Sequence, residues 1–211
     1  MRYVANNYPI KGMIMVAYRV KPDQIVGGPS WMDTDLYDME AKADKPSSPD
    51  ELHTMLMNLL VDRMQLKFHR EERNLRRYVL TVDKDGPKLT PHEAQSAHDP
   101  WIDISFEKFL HLKLTATAAP MEYVAFRLAQ QVDRPVIDMT GLKGGYDFNL
   151  SYTAELPPGF PEGGKINGED PDTSGPTIFQ AVKQQLGLEL KADHGPVAVI
   201  VIDHVERPTA N

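Results

Sequence analysis

Val136-Ile137-Asp138-Met139-Thr140-Gly141 sets an aspartate among apolar residues just ahead of a Thr-Gly pair. A carboxylate in such a loop could activate water for peptide hydrolysis, but that chemistry needs two carboxylates sharing one proton. The matching place in the first half of the chain, Ile25-Val26-Gly27-Gly28-Pro29, holds no acid, and Met139 separates Asp138 from the Thr-Gly pair. These residues instead predict a strand from Pro135 to Asp138, a turn through Gly141 to Gly145, and a return from Tyr146. In that hairpin-like connection Asp138 accepts backbone N–H groups, a common use of aspartate at turns.

Seven histidines offer acid–base or metal chemistry, yet none forms an i, i+4 pair of the HExxH kind. Asp203-His204 has the composition of a dyad, but neighbours on a strand point to opposite faces. There is no nucleophile elbow, no phosphate-binding loop and no G-x-G-x-x-G, so no cofactor is expected. If the chain is a hydrolase, His69, Asp138, His194 and His204 are its catalytic candidates, converging in a cleft between two lobes. Glu169, Asp170 and Asp172 supply the hard oxygens that calcium prefers, without the spacing or distal glutamate of an EF-hand, and read better as a solvated acidic loop. Arg70, Arg73, Arg76 and Arg77 form the one basic cluster, within HREERNLRR, and are the candidate binding residues.

Composition narrows the classes of function. The 211 residues are 41% hydrophobic and 25% charged, which describes a chain able to bury a core. It has no cysteine, so disulfides, thiolate-held metals and a thiol nucleophile are excluded. Residues 1–90 carry 14 Lys and Arg against 13 Asp and Glu, whereas the remainder carries 9 against 17. An acidic second half does not suit nucleic-acid binding, which needs a cationic surface. No apolar run reaches the roughly 20 residues of a membrane-spanning helix, and MRYVANNYP lacks the basic and apolar regions of a signal peptide.

Four helices are predicted, each with a proline near its start. Pro9 precedes Ile10, Met13, Ile14 and Ala17; Ser48-Pro49-Asp50-Glu51 reads as a capping box ahead of Leu52, Met55, Leu56, Leu59 and Leu60. Pro120 introduces Met121, Val124, Ala125 and Leu128, and Ser174-Gly175-Pro176 introduces Ile178, Ala181, Val182 and Leu186. Tyr78–Val82 and Val197–Ile202 are β-branched or aromatic runs of strand length, the second apolar on both faces and so interior to a sheet.

Laid side by side, the halves share one plan, β-α-β-β-α-β-β, with Pro9 matching Pro120, Ile25-Val26 matching Val136-Ile137, and Tyr37-Asp38 matching Tyr146-Asp147. The expected fold is α+β: two tandem βαββαββ lobes from an internal duplication, with helices packed on small mixed sheets. The first lobe covers 1–90 and the second 113–211, with a long acidic loop at 155–176. Residues 91–112 form a linker whose Trp101, Ile102, Phe106 and Phe109 pack between the lobes.

AYRVKPDQIVGGPSWMDTDLYDMEAKA, LLVDRMQLKFHRE, RPVIDMTGLKGGYDFNL, QQLGLELK and VIVIDHVERPTAN together resemble a soil-associated family of uncharacterised bacterial proteins expanded in acidobacteria. That resemblance implies export to the periplasm or beyond. Each half is also similar, in element order, to the short modules at the amino termini of secretins and TonB-dependent receptors, which dock to other envelope proteins. The function expected is thus a secreted or periplasmic module that binds a protein or an envelope ligand, with a hydrolase of unfamiliar type as the alternative.

Overall fold

The computed structural model describes residues 2–42, 49–92, 100–157, 159–165, 168 and 170–208. Its class is α+β. Strand β1 (Arg2–Pro9) leads into helix α1 (Ile10–Tyr18), β2 (Ile25–Gly27), the short α2 (Trp31–Thr34), β3 (Leu36–Lys42), α3 (Pro49–Met64) and the long β4 (Lys67–Val82). After β5 (Thr90–Pro91) and β6 (Trp101–Lys108) the order recurs: β7 (His111–Pro120), α4 (Met121–Ala129), β8 (Val136–Asp138), β9 (Gly145–Thr153), α5 (Ile178–Leu186) and the long β10 (Leu188–His204).

Pro9 and Pro120 are the N-cap residues of α1 and α4, where their extended ψ of 151° and 150° turns a strand straight into a helix. Helix α5 begins on a capping box. Thr177 Oγ1 accepts from the Gln180 N–H at 3.4 Å, and Gln180 Oε1 accepts from the Thr177 N–H at 3.0 Å. The corresponding box predicted at Ser48 lies outside the described residues.

The chain forms two compact units that interleave rather than follow one another. Residues Met1–Arg77 combine with His194–Asn211, and Tyr78–Asp193 form the other unit, in place of the consecutive 1–90 and 113–211 division. Each half contributes its own helices and strands to its unit, while its last long strand ends in the other. In the first unit, Ile200–Ile202 of β10 pair in parallel with Ile25–Gly27 of β2. In the second, Tyr78–Leu80 of β4 pair in parallel with Val136–Asp138 of β8.

The β-α-β-β-α-β-β plan expects two strands after the second helix of each half, but β4 and β10 run unbroken for 16 and 17 residues. Gly195-Pro196, a turn signal on paper, lies inside β10 for a packing reason. A Cβ on Gly195 would sit 2.6 Å from the Arg77 Nη2, and the Arg77 guanidinium donates to the Pro196 carbonyl at 2.6 Å.

Each unit has its own core. In the first, Ile10, Met13 and Ile14 of α1 meet Leu56 and Leu60 of α3 and Ile200 of β10, with Ala5, Tyr37 and Met39 of the β1–β3 ribbon partly buried against them. In the second, Leu112 and Leu114 of β7, Phe148 and Leu150 of β9, Val124 and Leu128 of α4 and Val182 and Leu186 of α5 close together. Trp101–Lys108 is no linker: it is an edge strand of the second unit's sheet, whose order is β5-β9-β7-β6. The Val136–Phe148 segment is likewise no hairpin, because β8 pairs with β4 and β9 with β5 and β7, in separate sheets.

The ribbons of the two halves agree pair by pair. Arg2↔Lys42, Tyr3↔Ala41, Val4↔Glu40, Ala5↔Met39, Tyr8↔Tyr37 and Pro9↔Leu36 in β1–β3 have counterparts in Lys113↔Ser151, Leu114↔Leu150, Thr115↔Asn149, Ala116↔Phe148, Ala119↔Tyr146 and Pro120↔Gly145 in β7–β9. Both ribbons bulge at the same step, on a left-handed residue: Asn7 at φ 54° and Ala118 at φ 51°. The bulge N–H is held each time by the aspartate noted in the sequence, with Asn7 donating to Asp38 Oδ1 at 2.8 Å and Ala118 to Asp147 Oδ1 at 2.7 Å.

Candidate functional site

Asp138 ends β8, and its Oδ1 accepts from the Thr140 N–H at 2.9 Å and from the Thr140 hydroxyl at 2.7 Å. Thr140 Oγ1 in turn accepts from the Leu142 N–H at 3.2 Å. This is an Asx turn that releases the chain from β8 towards Gly141, which takes a φ of 70°. Register places Gly27 where the other half has Asp138, since Gly27 pairs with Ile202 as Asp138 pairs with Leu80. A second carboxylate is therefore absent from the equivalent position.

His69 lies on the charged stretch of β4 in the first unit. Its Nδ1 is 2.9 Å from Asp203 Oδ1 and its Nε2 is 3.1 Å from Glu71 Oε1. Those two carboxylates, Asp203 foremost, raise the imidazole pKa, while His69 and then Arg73 lower that of Glu71. Both ring nitrogens of His69 face carboxylates, an arrangement that favours its cationic form and leaves neither nitrogen turned towards a nucleophile. Asp203 and the adjacent His204 do not form a dyad, for His204 Nε2 meets Glu206 Oε1 at 2.9 Å. His194 is exposed at the start of the first unit's share of β10. Asp138 belongs to the other unit.

The arginines separate into different roles. Arg73 donates from Nε and Nη2 to Glu71 Oε2 at 3.1 and 3.0 Å, so its charge is partly spent within the strand. Arg77 is 7% exposed and serves β10 through Pro196, which removes it from any binding face. Arg70 and Arg76 are exposed.

In the second unit two histidine–aspartate pairs hold loops to the sheet. His92 Nδ1 lies 2.9 Å from both oxygens of Asp147, the aspartate that also accepts from the Ala118 bulge, and the His92 N–H donates to the Gly145 carbonyl at 2.9 Å. His111 Nε2 lies 3.1 Å from Asp172 Oδ2, at ion-pair distance but out of line for a hydrogen bond, and Lys108 Nζ approaches the same oxygen at 3.6 Å. Ser174 donates to Asp172 Oδ1 through its hydroxyl and, at 3.0 Å, through its N–H. These bonds from Ser174 are the main reason the Asp172 carboxyl titrates down at about 2. Asp172 is thus committed to Ser174, His111 and Lys108, and Asp170 lies 4.0 Å from Lys165. Among the described residues no group of three His, Asp or Glu side chains could hold a metal ion; Glu169 falls outside them.

The remaining feature is apolar. Among the described residues β6 pairs with β7 alone, so its other edge presents backbone N–H and C=O groups that no described strand pairs. Along and just beyond that strand Phe106 is 75% exposed, Trp101 53% and Phe109 49%. A shallow polar groove of about 500 Å³ runs over the same sheet, lined among others by Thr90, Thr115, Thr117, Asp147 and Asn149.

Residues 11–205 match the model of a family described as "Protein of unknown function (DUF3738)". The chain belongs to that family. No curated protein and no solved structure matches this DUF3738 member. The family match reaches into both compact units and covers the β7–β9 ribbon, the Asp147 clamp and the β6 edge, whereas β1 and Asn7 lie just ahead of it.

Proposed function

We propose that this DUF3738 member is an extracytoplasmic docking module that holds another protein or an envelope ligand, and that its halves are an internal duplication. The observation that carries the reading is the β6 edge. An edge strand normally hides behind charge, proline or a covering element, because its open backbone groups recruit other strands. Here it carries Trp101 and Phe106, with Phe109 just beyond, aromatic anchors of the sort enriched where proteins meet. The resemblance to secretin and TonB-receptor modules and the export implied by the acidobacterial family agree with it. A hydrolase would need a free base beside a nucleophile, and His69, the most developed of the titratable clusters, is closed on both sides by carboxylates.

Site-specific photo-crosslinking tests this. A photoreactive residue at position 106, mixed with a bacterial envelope extract, is expected to give one discrete adduct, whereas the same residue at the exposed Lys143 gives none. Robust turnover of esters, lactones, peptides or glycosides that His69→Gln abolishes without moving the melting curve would reverse the reading in favour of the enzyme.

A further inference from the structure

Because the two ribbons correspond residue for residue, one unit shows what the other lacks. The outer edge of β7 is covered by β6, in the register Trp101↔Thr117, Ile102↔Ala116, Asp103↔Thr115 and Ile104↔Leu114. β1 stands where β7 stands, with Ala5 in the place of Ala116 and Val4 in the place of Thr115. Among the described residues only β3 pairs with β1, so the edge that β6 fills in the second unit is open in the first.

Burial gives an independent sign of the same gap. Ala116 and Phe148 are 3% and 8% exposed beneath the completed sheet, and Ile102 of the covering strand is 2% exposed. Their first-unit counterparts Ala5 and Met39 are only partly buried, although they pack on a core whose Ile10 and Ile14 are fully buried. Val4, on the opposite face of β1, is 43% exposed. Among the described residues, then, no strand gives the ribbon's outer edge the apolar cover that β6 supplies through Ile102 and Ile104.

Resting on the docking reading, we propose that the free edge of β1 is a strand-acceptor site for an extended segment of a partner polypeptide. The segment adds antiparallel to β1 in the register that β6 holds on β7. It carries branched apolar side chains two residues apart, one opposite Ala5 and one opposite Tyr3, with a polar residue between them opposite Val4. Backbone hydrogen bonds supply affinity that tolerates sequence change, and the alternate apolar positions supply selectivity. A second copy of β1 is a poorer occupant, because in any register it lacks the two branched apolar side chains two residues apart that β6 supplies as Ile102 and Ile104.

The test uses the whole chain and a synthetic peptide with the sequence of Trp101–Lys108, WIDISFEK, followed by amide hydrogen exchange. Saturable slowing of exchange in β1 by about tenfold or more, with none added in β6, is expected. A peptide with Asp in place of both isoleucines should bind at least about tenfold more weakly. Protection confined to β6, or no saturable protection, overturns the proposal. So does protection of β1 without peptide in a sample whose mass is that of a dimer, which assigns the edge to a second copy. A discrete adduct at position 106 with no protection of β1 removes this site and leaves the docking reading standing. The reverse result keeps the acceptor edge and removes β6 as the carrier.

Discussion

At the scale of single residues, aspartates hold the turns and bulges of this protein together. Asp38 and Asp147 each clamp a bulge, Asp138 closes a turn, and Asp172 ties the end of the acidic loop to His111 and Ser174. Asp172 provides a pH test with a definite sign. Its carboxyl is lowered from 3.8 to about 2 in the folded protein, so its stabilising contribution is fully present above the unfolded value of about 4 and is lost as pH falls through about 2. The side chain is exposed, so the check is spectroscopic. A carboxyl-carbon NMR titration is expected to place the midpoint near 2 in wild type and to move it upward in Ser174→Ala.

Which residues would matter was only partly visible in the sequence. The recurrence of Tyr37-Asp38 as Tyr146-Asp147 marks both bulge clamps, because a bulge N–H needs a fixed acceptor and the same bulge occurs in both ribbons. The pairs His92–Asp147 and His111–Asp172 left no local trace, since their members are brought together by strand register and not by spacing along the chain. Arg77 looks like its exposed neighbours in the sequence, because composition cannot distinguish a buried guanidinium from a solvated one.

At the scale of elements, helices were the legible part. α1, α4 and α5 follow their apolar spacing and leading prolines, since a helix declares its buried face every three or four residues. The long strands were not legible. HREERNLRR has low strand propensity and Gly195-Pro196 reads as a turn, yet β4 and β10 run through both, held by neighbouring strands and by the Arg77 contact. Gly195→Ala should therefore displace the Arg77 guanidinium, weaken its bond to Pro196 and destabilise the fold by about 1–3 kcal/mol. Denaturant titration of the double-mutant cycle checks the cause: in an Arg77→Met background the same glycine substitution should cost distinctly less. An equal cost in both backgrounds would place the penalty elsewhere.

For the whole molecule, the exchange of strand ends decides how the chain can be cut. Ile200 and Ile202 are 1% and 9% exposed within the first unit's core, although they stand near the end of the sequence. A fragment of residues 1–90 lacks them and is expected to show no cooperative unfolding transition by circular dichroism. Adding a separately produced fragment of residues 113–211 should restore a transition only if the strand ends are exchanged between the two. Independent two-state unfolding of the first fragment would contradict the interleaved division.

That interleaving also has a history in time. The Gln24 side chain donates to the carbonyl of Ala198 across a separation of 174 positions, and β2 waits for Ile200–Ile202 as its parallel neighbour. During synthesis at roughly 5–20 residues per second, the first unit must stand incomplete for on the order of 6–25 s before its missing strand leaves the ribosome. For that interval its apolar side chains and the edge of β2 are available to holding chaperones and to the same half of a neighbouring nascent chain. The demand falls on the cell's folding assistance, and it ends only when β10 has been delivered.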